Sequence, residues 1–226
     1  MALHAPYLLF LGDAPDMLAA KVALGIKQWR PEHCVGQFRM PGCRADCGLP
    51  DMTIEEAARA GARTMVVGVA NRGGVISQPW IEALKSALEA GMDLAAGLHN
   101  RLRDAPELAE TAAALGHALH DVRVPDRVYP IGTGERRSGK RLLTVGTDCS
   151  CGKMYTTLAL EAEMKARGMD ADFRATGQTG ILITGEGVPL DAVVADFISG
   201  AIEQLAPDAA PGHWDLIEGQ GSLFHP

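Results

Sequence analysis

The sequence predicts an α/β protein of two consecutive parallel-sheet domains, and three observations carry that prediction. Short apolar runs alternate with amphipathic stretches in strand–helix order along residues 1–127. A polar, basic stretch at 128–141 interrupts the pattern, and a second alternation opens at residue 142. In that second series, strand-like runs lead directly into glycine-rich polar loops. Parallel strands need crossover helices, so this order implies helices on both faces of each sheet.

The elements follow in chain order. Residues 7–11 are an apolar run, and 17–29 carry Leu18, Val22 and Ile26 on one helical face. A strand is expected at 34–38, then a loop rich in Gly, Pro and Cys, then a helix at 53–60. Strands at 64–69, 93–96 and 120–124 alternate with helices at 78–90 and 105–115, which makes the first domain Rossmann-like. The second domain, 142–226, reads as strand 142–145, loop, helix 156–166, strand 172–175, helix 190–205 and strand 213–218.

The loop between 146 and 153 is the most informative stretch. A literal G-x-x-x-x-G-K pattern occurs upstream at 134–140, but no strand enters it and a β-rich run follows it, so it reads as linker. Gly146-Thr147-Asp148-Cys149-Ser150-Cys151-Gly152-Lys153-Met154-Tyr155 has the right context, with a strand entering and a helix leaving. In that context backbone N–H groups and the positive end of a helix converge on one anion, while Lys153 adds a mobile charge. The spacing is one residue longer than the common phosphate loop and is similar to that of dethiobiotin synthetase. Nucleotide-hydrolysing loops place Ser or Thr directly after the lysine to hold Mg²⁺, and here that position is Met154. Thr156 lies on a similar helix face, so a metal ligand stays open, but the loop favours holding a diphosphate without cleaving it.

Bulk properties set the bounds. The 226 residues are 47% hydrophobic and 22% charged with a net charge of −7, an ordinary soluble composition. Without a long basic stripe, nucleic acid is not the expected partner. No signal peptide opens the chain and no apolar run reaches bilayer length, so a cytoplasmic protein with no membrane partner is expected. Cys43 and Cys47, and Cys149 and Cys151, lack zinc-knuckle spacing. Free thiols and no dedicated metal site are therefore expected, with Cys149 and Cys151 carrying lowered pKa values if exposed at a helix start.

Ligands in open α/β sheets gather at the carboxyl ends of strands. Gly12-Asp13 stands there after the first strand, Asn71-Arg72-Gly73-Gly74 after the third and His99 after the fourth. An arginine beside a glycine pair can clamp a carboxylate or phosphate, and His99 can serve as a base or as a loop cap. In the second domain Gln178, Thr179, Glu218 and Gln220 follow strands on the same edge as the phosphate loop. Glu218 can accept a proton, bind a metal, or simply hold its loop by accepting backbone N–H bonds.

Gly146-Thr-Asp-Cys-Ser-Cys-Gly-Lys-Met, Ala175-Thr-Gly-Gln-Thr-Gly and Ile217-Glu-Gly-Gln-Gly-Ser, behind a first half carrying Gly97-Leu-His, together resemble the D-glutamate N-acetyltransferase family. The resemblance spans nearly the whole chain. It implies a Rossmann-like N-terminal domain followed by a P-loop NTPase-like α/β domain. Because family members run on for about one further domain, it also implies that the second domain is incomplete in this chain. The activity implied is acetyl transfer from acetyl-CoA to the amino group of a D-amino acid, D-glutamate being the best match, in a protein expected to form a homo-oligomer. Asp148 or Glu218 would be the base, and Lys153 with the loop amides would hold the CoA phosphates or the oxyanion. Asn71, Arg72, Gly73, His99, Gln178, Thr179 and Gln220 would bind substrate. Two alternatives stay open: an ATP- and Mg²⁺-dependent ligase or kinase of the dethiobiotin synthetase type, and a non-catalytic nucleotide-binding scaffold.

Overall fold

The computed structural model describes residues 3–69, 76–125, 127–148 and 151–221. Two compact units divide the chain, Met1–Arg123 and Val124–Pro226.

The first unit holds β1 (Tyr7–Gly12), α1 (Lys21–Trp29), β2 (Cys34–Arg39), α2 (Ile54–Arg59), β3 (Thr64–Val67), α3 (Gln78–Glu89), β4 (Asp93–Ala96), α4 (Pro106–Leu115) and β5 (Leu119–Asp121). Its sheet is parallel with order β2-β1-β3-β4-β5, so the strand order reverses direction between β1 and β3. All six residues of β1 are buried, as a strand covered on both faces requires. Burial of Leu8, Leu9, Phe10 and Leu11 there contributes about 1.5–3 kcal/mol per side chain before chain entropy is counted.

The helix expected over 17–29 starts only at Lys21. Asp16 captures the Ala19 N–H at 2.9 Å, and the turn it closes occupies the residues before the helix. The strand expected at 120–124 is Leu119–Asp121. The Asp121 carboxylate accepts the Leu102 N–H and pairs with Arg103, anchoring the strand end to a neighbouring turn.

The second unit holds β6 (Lys140–Leu143), α5 (Lys153–Ala166), β7 (Ala171–Arg174), α6 (Gln178–Thr184), α7 (Ile198–Leu205) and β8 (Trp214–Ile217). Among the described residues its sheet has three parallel strands in the order β6-β8-β7.

Three expectations are corrected here. The strand before the phosphate loop runs two residues earlier than 142–145, because its cationic start has partners that a hydropathy pattern does not register. The Lys140 ammonium lies 5.0 Å from the Trp214 ring centre, and Arg141 donates to the carbonyls of Arg137, Ser138, Ala206 and Pro207. The stretch 128–141, though largely exposed, is tied to the second unit: Tyr129 is buried with Val188 and Ala201, and the amides of Thr133 and Gly134 donate to the Glu203 carboxylate at 2.9 Å. The helix expected over 190–205 is broken into 3-10 turns at Leu190–Ala192 and Ala195–Phe197 before α7, with Val193 and Val194 extended between them. Two adjacent β-branched residues favour that backbone over a continuous helix.

Candidate anion site of the second unit

The site is built at the carboxyl ends of β6 and β8. β6 delivers the chain into the loop at Thr144, and α5 leaves it at Lys153, its first residue. Gly152 is the N-cap of α5 with φ of 100°, and being glycine it has no side chain to cap that end. The first N–H groups of a helix have no intrahelical partners, so this terminus is positive and open to an anion. Gly146 admits the close approach that tightens the loop: a Cβ there would lie 2.4 Å from Cys151 Sγ and 3.2 Å from Lys153 Cγ. The Lys153 ammonium reaches back across the loop and donates to the Asp148 carbonyl at 2.7 Å and the Gly221 carbonyl at 3.1 Å, with Cys151 Sγ at 3.8 Å. Its charge is thus held over the loop mouth by carbonyl oxygens, weaker partners than a phosphate oxygen.

Beside the loop lies the segment after β8. Glu218 is 7% exposed and its Oε2 accepts the N–H groups of Thr176 and Gly177 at 3.1 and 3.2 Å. Burial pushes the Glu218 carboxyl above the ordinary glutamate value. The two amides, Gln220 and the Lys153 charge offset part of that rise. Thr176, fully buried, donates to the Glu218 carbonyl at 2.7 Å and accepts from Gln220 Nε2 at 2.9 Å. Gly219 packs directly on β6: a Cβ there would fall 1.8 Å from the Thr144 carbonyl oxygen.

The second unit therefore brings together Gly146, Cys151, Gly152, Lys153, Glu218 and Gln220. Gln178 and Thr179 are corrected from loop to helix: they form the first turn of α6, and Gln178 Oε1 is buried without a hydrogen-bond partner. Met154 and the exposed Thr156 lie in the first turn of α5, while Thr147, Asp148 and Tyr155 are exposed. Asn71, Arg72, Gly73, Cys149 and Ser150 lie outside the described residues. His99 belongs to the first unit, exposed in the loop after β4. Residues 134–140 make no cradle, since Glu203 already takes the Gly134 amide.

In the first unit the glycine that closes β1, Gly12, serves packing. Trp80 fills the space beside Gly12 and donates its indole N–H to Asp13 at 2.9 Å. A groove of about 600 Å³ opens at the end of β2, but Arg39 in its wall is already held by Asp51. Cys34, Cys43, Cys47 and Cys151 are free thiols. Among the described residues no group of His, Cys, Asp and Glu is placed to hold a metal, and no helix is long and apolar enough to cross a membrane.

Residues 38–125 match the profile of a Rossmann-like domain of unknown function, DUF1611_N, and residues 130–226 match that of a P-loop domain, DUF1611_C. A curated D-glutamate N-acetyltransferase of Tritonibacter scottomollicae is 68% identical over 223 residues, spanning 99% of this chain and 67% of that protein. The chain belongs to this family. A second protein of the same name, from a Pseudoalteromonas species, is 52% identical over the whole chain and 68% of its own length. A crystal structure of a DUF1611 family protein from Anabaena variabilis is 33% identical with a TM-score of 0.78, over 99% of this chain and 68% of that one. Family membership thus agrees with the α/β fold of both units.

Three residues of the site were not among the sequence candidates: Thr144, Thr157 and Thr176. Each is a buried hydroxyl, and the available signal was a threonine on the inward face of its element, which needs a polar partner once buried.

Proposed function

We propose that the protein is an N-acetyltransferase that moves the acetyl group of acetyl-CoA onto the amino group of D-glutamate. One observation carries the reading: a chain 68% identical to a curated D-glutamate N-acetyltransferase holds a lysine-bearing anion loop whose next residue is Met154 rather than a Mg²⁺-binding hydroxyl. The loop amides and Lys153 hold the CoA diphosphate.

The acceptor amine, once deprotonated, attacks the thioester carbonyl. The new C–N bond forms as the C–S bond breaks, CoA leaves as thiolate, and the amine proton passes to a base. Glu218 suits that role because it is buried and burial raises its carboxyl above the ordinary glutamate value, the direction that favours taking a proton. Gln220, held by Thr176, also hydrogen-bonds Glu218, and Gln178 at the start of α6 has an unmet acceptor for a substrate donor.

The test is release of free CoA thiol on mixing the protein with acetyl-CoA and D-glutamate, with L-glutamate and ATP–Mg²⁺ as parallel arms. Release dependent on D-glutamate is expected. Nucleotide hydrolysis in place of thiol release would overturn the reading and favour a ligase or kinase.

A further inference from the structure

Two buried threonines join the anion loop to the Glu218 loop through a hydrogen-bond chain whose direction is fixed by proton count. Thr157, fully buried one turn into α5, donates its hydroxyl to the Lys153 carbonyl at 2.7 Å. Its single proton is thereby used. Thr144 Oγ1 lies 2.7 Å from Thr157 Oγ1, so Thr144 must be the donor in that contact. Thr144 Oγ1 in turn accepts the Gly219 N–H at 3.4 Å. The other acceptors near Thr144, the carbonyls of Lys153 and Ile217, are at 3.4 and 3.5 Å and compete poorly with the 2.7 Å contact.

The chain runs Gly219 N–H to Thr144, Thr144 to Thr157, and Thr157 to the carbonyl of Lys153. It crosses three elements: the segment after β8, the end of β6 and the first turn of α5. One end is the residue next to Glu218 and the other is the backbone of the loop lysine. A buried hydroxyl network of this kind resists distortion, and its longest link is the 3.4 Å contact from the Gly219 N–H. Gly219 also sits so close to Thr144 that no other residue fits there.

We propose that Thr144 and Thr157 are positioning residues for acetyl transfer: their hydroxyl relay keeps Lys153, which holds the acyl donor, in register with Glu218, which takes the proton. This rests on the N-acetyltransferase reading. Neither threonine touches substrate; each acts through a backbone group of a residue that does.

The experiment compares Thr144→Val, Thr157→Val, the double variant and Thr157→Ser with the wild-type protein. It measures kcat, KM for acetyl-CoA and amide hydrogen exchange, all well below each variant's unfolding temperature. Each valine substitution keeps the shape and deletes the hydroxyl. The expected result is a fall in kcat of about tenfold or more with KM for acetyl-CoA changed by less than about threefold. The double variant should lose no more than the worse single one, because either substitution breaks the same chain. Thr157→Ser should restore kcat. Thr157→Val should speed exchange in residues 217–221 although the substitution lies in α5.

Unchanged kcat in folded Thr157→Val, or exchange accelerated only around the substituted residue, overturns the proposal and leaves the threonines a packing role. If Thr144→Val does not fold, Thr157→Val and Thr157→Ser decide alone. If the wild-type protein transfers no acetyl group, the functional reading falls, while the exchange data still decide whether the two loops are coupled.

Discussion

The two units each carry a glycine at or just past the end of a strand, Gly12 closing β1 and Gly146 three residues beyond β6, and use it in opposite ways. After β1, Gly12 makes room for Trp80, Asp13 bonds the indole, and α1 begins only at Lys21, eight residues beyond Asp13. After β6 a connection of similar length leads to α5, and there Lys153 is the helix's first residue and its ammonium lies over the loop. A glycine after a strand is therefore no ligand signal by itself. What matters is what the loop places at the helix start, where the first amides and the dipole are positive. The first unit uses its glycine for packing; the second places a lysine at the helix start with its ammonium over the loop.

The sharpest way to break this contrast is at Glu218. Glu218→Gln keeps the shape and the amide contacts but removes the base, so kcat should fall about 10²–10⁴-fold with little change in acetyl-CoA affinity. The same variant tests the carboxyl's environment. A buried acid whose pKa is raised on folding binds its proton more tightly in the folded state, so its contribution to stability is fully present below the ordinary glutamate value and is lost as pH rises through the folded value. Wild-type protein should therefore lose thermal stability relative to Glu218→Gln as pH rises across that window. Parallel melting curves would show that the carboxyl is not strained by burial.

Next in size is Lys153→Ala. Charge-assisted bonds to a phosphate contribute about 1.5–3 kcal/mol, so acetyl-CoA affinity measured by calorimetry should fall roughly 10- to 100-fold. An unchanged affinity would place the CoA diphosphate elsewhere and remove the distinction between the two loops.

The parts of this architecture legible in the sequence were those written in short-range pattern. Continuous apolar runs marked β1 and β3, and the glycines, the lysine and the helix formers after them marked the anion loop. What was not legible depended on partners distant along the chain. Lys140 and Arg141 read as linker because Trp214, Ala206 and Pro207, which hold them in an edge strand, lie more than sixty residues away. Gln178 read as loop because glycines surround it, yet Gly177 caps a helix there. Thr144 and Thr157 carry no local signature; their role comes from a third element, at Gly219, that pattern reading cannot place. The odds of reading Asp13 correctly were low for the same reason, since its partner Trp80 comes from α3.

Asp13→Ala gives the smallest and most discriminating effect. If the glycine–aspartate turn after β1 serves packing, the substitution strands the indole N–H of Trp80, a side chain only 4% exposed. Leaving a buried donor unsatisfied costs about 1–3 kcal/mol, which should appear as a lower unfolding temperature. Acetyl-CoA affinity should not change, because the turn holds no part of the donor. If instead the turn were a second ligand cradle, the substitution would shift affinity or KM and leave stability nearly untouched, since an aspartate that waits for ligand contributes little to the unliganded fold. Trp80→Phe separates the two further: it deletes the donor together with the need for the acceptor, so adding Asp13→Ala to Trp80→Phe should cost less than Asp13→Ala alone. Additive losses would mean that Asp13 has a partner other than the indole, and the contrast between the two strand ends would have to be redrawn around it.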